Sequence, residues 1–332
     1  MSQSPVCSII IRAYNEAEHI GKLLTGIQAQ TVQDVQIILV DSGSSDDTVA
    51  IARQYPVEVV NIRPEDFSFG RSLNTGFEHA RGEFVVMASA HVYPVYPDWL
   101  ELMLAPFKEE KVALTYGKQR GAEKTQFSEH QIFRHWYPEN STSRQTTPFC
   151  NNANSAIRRS LWQQHPYDET LPGLEDLAWG KWAQEKGYAI AYCAEAEIIH
   201  VHNESLNGIY NRYRREGMAF KQIYPHETFT RRDMWRLFFQ NTFTDWQEAA
   251  KQGRLGKDFW NITRFRWYQF SGTYQGYKQS GPLTWRLKQA FYYPHQVFAP
   301  KAGENGRSVA PIQYNRLDQD PNDKDSGSGG QQ

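Results

Sequence analysis

Two apolar runs near the start of the chain restrict its fold more than any other feature. VCSIII (residues 6–11) and VQIILV (residues 35–40) are almost continuously apolar, as strands covered on both faces must be. The polar turn Arg12-Ala13-Tyr14-Asn15-Glu16 follows the first run and leads to a helical face of Ile20, Leu23, Leu24 and Ile27. The second run leads, through the polar turn Asp41-Ser42-Gly43-Ser44-Ser45-Asp46-Asp47-Thr48, to a helix with Val49, Ile51 and Ala52 inward. Further strands are expected at 57–62 and 83–88. Strand–helix alternation of this kind predicts an α/β protein with a doubly wound, mostly parallel sheet, and ligands bind at the strand C-terminal ends of such sheets. Neither GxGxxG nor GxxxxGK[ST] follows the first strand, which disfavours a dinucleotide-dependent oxidoreductase and a P-loop enzyme. Asp41 suits a hydrogen bond to a ribose hydroxyl or base edge, or equally a turn. A helix starting near Gly70 would aim its N–H groups and Arg71 at an anion.

The second informative stretch is LPGLEDLAWGKWAQEKGYAIAYCAEAEIIHVH, residues 171–202. Glu175 and Asp176 open a segment with Leu177, Ala178, Trp182 and Ala183 at helical spacings, and Gly187 stops it. A short strand at 189–192 and a second one ending in His200-Val201-His202 are expected to follow. One such unit can supply an acid–base carboxylate and a pair of imidazole metal ligands, because i, i+2 positions on a strand share a face. The carboxylates also fit a plain helix N-terminus.

A net charge of -1 with 22% charged residues describes neither a disordered chain nor one built to bind nucleic acid. Cys7, Cys150 and Cys193 have no CxxC spacing and read as reduced structural thiols. The first residues lack the basic and apolar regions of a signal peptide, and no run approaches the ~20 apolar residues of a membrane span. A cytoplasmic protein, at most peripheral to a membrane, is the expectation. Between residues 205 and 300 the balance shifts to fifteen Lys and Arg against six Asp and Glu. Trp235, Phe238, Phe239, Trp246, Trp260, Trp267, Tyr268 and Trp285 add an aromatic excess there. Basic, aromatic helices fit interfacial membrane contact, and they fit a self-contained core or a homo-oligomer interface as well. Residues 301–332, rich in Gly, Pro, Asp and Ser, are expected to be disordered.

Taken in order, SIIIRAYNEAEHIGKLL, IILVDSGSSDDT, FGRSLNTGFEHARGEFVVMASAH and LPGLEDLAWGKWAQEKGYAIAY resemble the family 2 glycosyltransferases, which have the GT-A fold. ALTYGKQRG, FCNNANSAIRRSLW, EIIHVHNESL and RYRREGMAF resemble the rhamnosyltransferase-type members that build bacterial surface polysaccharides. The resemblance implies a GT-A catalytic domain over 1–204 and a helical extension over 205–300. It implies an inverting transfer from a nucleotide-sugar donor to a glycan or polyprenyl-linked glycan. By the same resemblance Asp176 is the general base with Glu175 second. Arg12, Tyr14, Glu16 and Asp41 would hold the nucleotide, with Arg71, Asn74 and Ser89 facing the phosphates or sugar. The family's acidic DxD signature is replaced by Ser89-Ala90-His91. In the DxH variant of that signature the histidine ligates the metal, which implies His91, with His200 and His202, as ligands of Mn2+ or Mg2+. Donor binding without metal, through Arg71 and backbone amides, stays open. The asparagines at 151, 152 and 154 suit sugar hydroxyls or turns. The alternative is a degenerate GT-A protein acting as a glycan-binding scaffold, against which the retained Glu175-Asp176 pair argues.

Overall fold

The computed structural model of the protein describes residues 5–279 together with Leu287, Phe291 and Tyr292. Its elements run β1 (Cys7–Ala13), α1 (Ile20–Gln28), β2 (Val35–Asp41), α2 (Thr48–Ala52), β3 (Val57–Asn61), α3 (Phe69–His79), β4 (Phe84–Ser89) and β5 (Val92–Pro94). They continue through α4 (Trp99–Leu104), β6 (Val112–Gly121), α5 (Phe127–Trp136), β7 (Asn154–Arg158), α6 (Arg159–Gln164), α7 (Glu175–Glu185) and β8 (Ala189–His200). Helices α8 (Leu206–Ile223), α9 (Arg231–Lys251) and α10 (Leu255–Lys278) close the described chain.

The continuous apolar runs have a direct structural reason. Cys7, Ile9 and Ile11 of β1 enter one core layer with α1, while Ile10 enters the opposite layer with Leu73 and Phe77 of α3. A strand sandwiched in this way has no face left for polar residues. The sheet order is β3-β2-β1-β4-β7-β6-β8-β5. Strands β3, β2, β1 and β4 run parallel to their neighbours, as do β6 and β8. β7 is antiparallel to both β4 and β6, and β5 to β8. The antiparallel β7 therefore joins two parallel halves, and the polar ends of β1, β2 and β4 meet the far end of β8 across it.

One expected element differs. Residues 189–200 form a single twelve-residue strand, not two. β6 follows β8 along this length, with a shift in register between Gly117 and Gln119, and its outer half ends with Gly121 opposite His200. Ala194 to Glu197 bulge out of the ladder at that shift, pairing resumes at Ile198, and there β5 covers the other edge with Val92 opposite His200.

The C-terminal helices pack on this frame. Close approach of α10 to α8 depends on glycine: a Cβ at Gly276 would lie 2.2 Å from the Arg214 carbonyl oxygen, and one at Gly272 2.5 Å from that of Tyr210. Phe127 of α5 packs with Ala249 of α9 and Ile262 of α10. Beneath them Asp245 and Arg266, both buried, form a two-bond ion pair at 2.8 and 3.0 Å. Ser128 of α5 donates to the same carboxylate at 2.6 Å. All three cysteines are buried and free. Among the described residues no helix is long and apolar enough to cross a membrane. Trp285 and residues 301–332 lie outside the described residues. Because removing one partner leaves the other charge buried, Asp245→Ala is expected to cost about 3–5 kcal/mol in urea unfolding.

Candidate active site

The turn after β1, the end of β4, the loop before α7, the end of β8 and the inner face of α8 enclose a cavity of about 440 Å³. Of the residues singled out from the sequence, Arg12, Glu16, Ser89, His91, Asn151, Asn152, Glu175, Asp176, His200 and His202 line it.

Glu175 and Asp176 form the first turn of α7, where the helix N-terminus favours negative charge. The residue before them, Leu174, is held at φ 56°, a left-handed conformation that a β-carbon disfavours. Such strain persists only where the surroundings enforce it. Arg12 donates to Glu175 Oε1 at 3.2 Å. Asp176 accepts from the Leu177 amide at 2.8 Å and from the Asn152 amide at 3.1 Å. Asn152 is fixed in turn by Ser155 and by the Tyr167 hydroxyl, which donate to its Oδ1 at 3.1 and 3.3 Å. Burial, and then the neighbouring Glu175 charge, push the Asp176 carboxyl up to about 7, against the pull of its two amides. A carboxyl so placed is a competent base near neutral pH.

Opposite stand three imidazoles. His91 turns its Nδ1 to Glu16 Oε1 at 2.7 Å, His200 to Gln119 Oε1 at 2.7 Å, and His202 to Glu129 Oε1 at 2.7 Å. An oxygen acceptor at each Nδ1 favours the tautomer that turns Nε2 to the shared space, the arrangement that orients metal-ligating histidines. The His200 and His202 Nε2 atoms are 3.0 Å apart, and one nitrogen from each of the three rings lies within 4.8 Å of the others. Cis ligands at bonds of about 2.1 Å are separated by about 3 Å, so the His200–His202 spacing suits one divalent ion, with His91 near enough to complete the set. Burial, then His202 and His91, hold the His200 imidazole well below its usual pKa and hence neutral.

Several residues lie elsewhere. Arg71 is bound to Glu169 at 3.1 Å and does not line the cavity. Asn74 is buried with its amide fully engaged: it donates to the Tyr167 carbonyl and Glu169 at 2.9 and 3.0 Å. Its Oδ1 accepts from Trp162 Nε1 and the Tyr167 amide at 2.9 and 3.0 Å. Both residues thus tie α3 to the segment after α6. Asn154 likewise clamps the Trp99 indole and two backbone carbonyls. Asp41 and Tyr14 sit at the ends of β2 and β1, beside the cavity but not in its lining. Asp41 Oδ2 accepts from the Gly43 and Ser44 amides, while its buried Oδ1 has no hydrogen-bond partner among the described residues.

Sequence reasoning missed Glu129 and the charged face of α8. Glu129 accepts from His202 and from Arg212 at 2.7 Å, and Arg212 reaches Glu204 at 2.8 Å. Although burial opposes its charge, Arg212 and then His202 hold the Glu129 carboxyl at about 2. Arg215 and Arg12 both stack on Phe69, at 4.8 and 4.9 Å from the ring centroid, and bring two guanidinium groups to the cavity wall. RYRREGMAF held the only signal, and nothing near Glu129 in sequence marks it.

This sheet has the GT-A fold, and in it a carboxylate pair faces an imidazole cluster. Among solved structures, the fold is shared with a mannosyltransferase from Pyrobaculum calidifontis determined with GDP-Man and Mn2+. The TM-score is 0.57 at 18% identity, over 82% of this chain and 86% of that one. Residues 8–165 match the family described as Glycosyl transferase family 2, and the chain carries a domain of that family. Similar proteins include the O-antigen chain rhamnosyltransferase WbaN of Salmonella anatum, 28% identical over 63% of this chain and 70% of its own length. The O-antigen chain rhamnosyltransferase RfbN of Salmonella typhimurium is 25% identical over 62% and 69%. The glycosyltransferase AglE of Haloferax volcanii is 27% identical over 60% and 68%.

The saturated amide of Asn74 yields a test. Asn74→Ala is expected to lower stability by about 1–3 kcal/mol in chemical denaturation while nucleotide-sugar affinity per folded molecule is unchanged.

Proposed function

We propose that the protein transfers a sugar, with inversion, from a nucleotide-sugar to a hydroxyl of a glycan or polyprenyl-linked glycan in surface polysaccharide synthesis. The observation that carries the reading is a buried carboxyl raised to about 7, Asp176, in one cavity with three imidazoles aimed at a common point. The O-antigen rhamnosyltransferases among its relatives support the polysaccharide setting.

Asp176 takes the proton of the acceptor hydroxyl as that oxygen bonds to the anomeric carbon. The bond from that carbon to the nucleotide phosphate breaks on the opposite face, so configuration inverts. His91, His200 and His202 would hold a divalent ion, which when bound would supply positive charge for the diphosphate. An all-imidazole set favours Mn2+ over the harder Mg2+. Arg12 and Arg215 add positive charge at the same wall, and Asp41 Oδ1, unpartnered among the described residues at the end of β2 next to β1, is the acceptor for a nucleotide hydroxyl that extends past the cavity. Asn152 holds Asp176 in line, and burial keeps water from competing for the base.

Asp176→Asn is expected to lose roughly 10²-fold or more in turnover with donor affinity retained. A raised pKa means the base is protonated below it. The kcat/KM of the native protein should therefore fall about tenfold per pH unit below about 7 and level off above. A flat profile from pH 5 to 8 contradicts the assignment. Chelator should abolish turnover, and His91→Ala should weaken Mn2+ binding in calorimetric titration by at least about tenfold. Full turnover in chelator would show that the cations carry the phosphate alone.

A further inference from the structure

The C-terminal aromatics divide into two sets. Met234, Phe238 and Phe270 form a buried core between α9 and α10. Phe239, Phe243, Trp260 and Trp267 are left outside it, 62, 58, 67 and 40% exposed. Phe239 and Phe243 are one turn apart on α9, and Trp260 and Trp267 are two turns apart on α10. Trp235 joins the stripes, stacking on Phe239 at 5.6 Å and meeting Trp267 at 5.4 Å. Such a continuous apolar band is not ordinary surface.

Its charge is one-sided. The most exposed charged side chains between residues 231 and 278 are all Lys or Arg; Asp245 and Asp258 are buried, and Asp233 and Glu248, 32 and 30% exposed, pair with Arg236 and Lys251. Arg232 and Arg236 continue the Phe239–Phe243 stripe, and Arg264 lies between Trp260 and Trp267. A second copy docked through a two-fold axis would set this patch against itself, basic against basic, which is unfavourable. An anionic bilayer matches both properties at once: rings enter the headgroup boundary while guanidinium groups meet phosphates.

We propose that the α9–α10 hairpin docks the protein on anionic lipid headgroups through this aromatic and basic face. The surface is separate from the cavity, which none of its residues lines, so its test does not depend on the donor, the base or the metal. The protein should sediment with vesicles of phosphatidylcholine and 30 mol% phosphatidylglycerol at ~50 mM salt, and release as salt rises. Pure phosphatidylcholine should bind far less. Each basic side chain contributes about fivefold to partitioning, so Arg232→Gln, Arg236→Gln and Arg264→Gln together should weaken binding about 100-fold. Replacing Phe239, Phe243, Trp260 and Trp267 with Ser should abolish it, with helical circular dichroism unchanged. Brominated lipid should quench tryptophan fluorescence of the unaltered protein, and less so in Trp260→Phe/Trp267→Phe, a reading that needs no disruptive variant. Failure to sediment at low salt overturns the proposal. So does a dimer in analytical ultracentrifugation that the Ser variant converts to monomer while vesicle binding is unchanged.

Discussion

The buried Glu129 carboxylate is the interaction on which the arrangement of the cavity depends. It accepts from His202, at the end of the long strand β8, and from Arg212, on the helix that follows. An unpaired carboxylate so deep in the protein would be strongly unfavourable, so the contacts are mutually required. Arg212 is held against the sheet domain by Glu129 and Glu204, and this places Arg215 on Phe69 beside Arg12. A sheet strand, a surface helix and an extension helix are thereby fixed by one charged node. The glycine seam between α8 and α10 extends that fixation through the C-terminal region.

Much of the sheet was legible because burial on two faces leaves a distinctive run of apolar residues. β1, β2, β3 and β4 fall where their hydrophobic stretches place them, and α1 buries Ile20, Leu23, Leu24 and Ile27 as its spacing implies. The helix opened by Glu175 and closed before Gly187 was equally clear, since Gly187 adopts φ 84°. The sequence reads as two strands over β8, and the break it implies falls where the β6 ladder is interrupted between Cys193 and Ile198. Pairing with β6 on one edge and, at its end, with β5 on the other decides the matter, and pairing is not a local property.

The site was legible in part for the same reason. His91, His200 and His202 stood out as residue types, and strand spacing put two of them on one face. Their hydrogen-bond acceptors, Glu16, Gln119 and Glu129, come from three separate segments, and no local pattern joins them. Arg71 and Asn74 looked like anion and sugar contacts because α3 begins beside the sheet. Their polar groups are instead spent on Glu169 and the Tyr167 backbone, a long-range packing fact. The basic, aromatic C-terminal region could not be divided into core and surface from composition, because both sets of rings occur on the same two helices.

The antiparallel strand β7 has a consequence for the order in which the protein becomes functional. Because it joins two parallel halves, the walls of the cavity come from chain segments more than a hundred residues apart, His91 facing His200 among them. Closing loops of that length costs entropy before any contact rewards it, so these pairings belong late in folding. No shorter intermediate, however native its first three strands, presents both the carboxyl and the imidazoles to a ligand. Ligand occupancy therefore measures completion of the fold from β1 to α8, and whatever binds there stabilises that topology over every partly formed one.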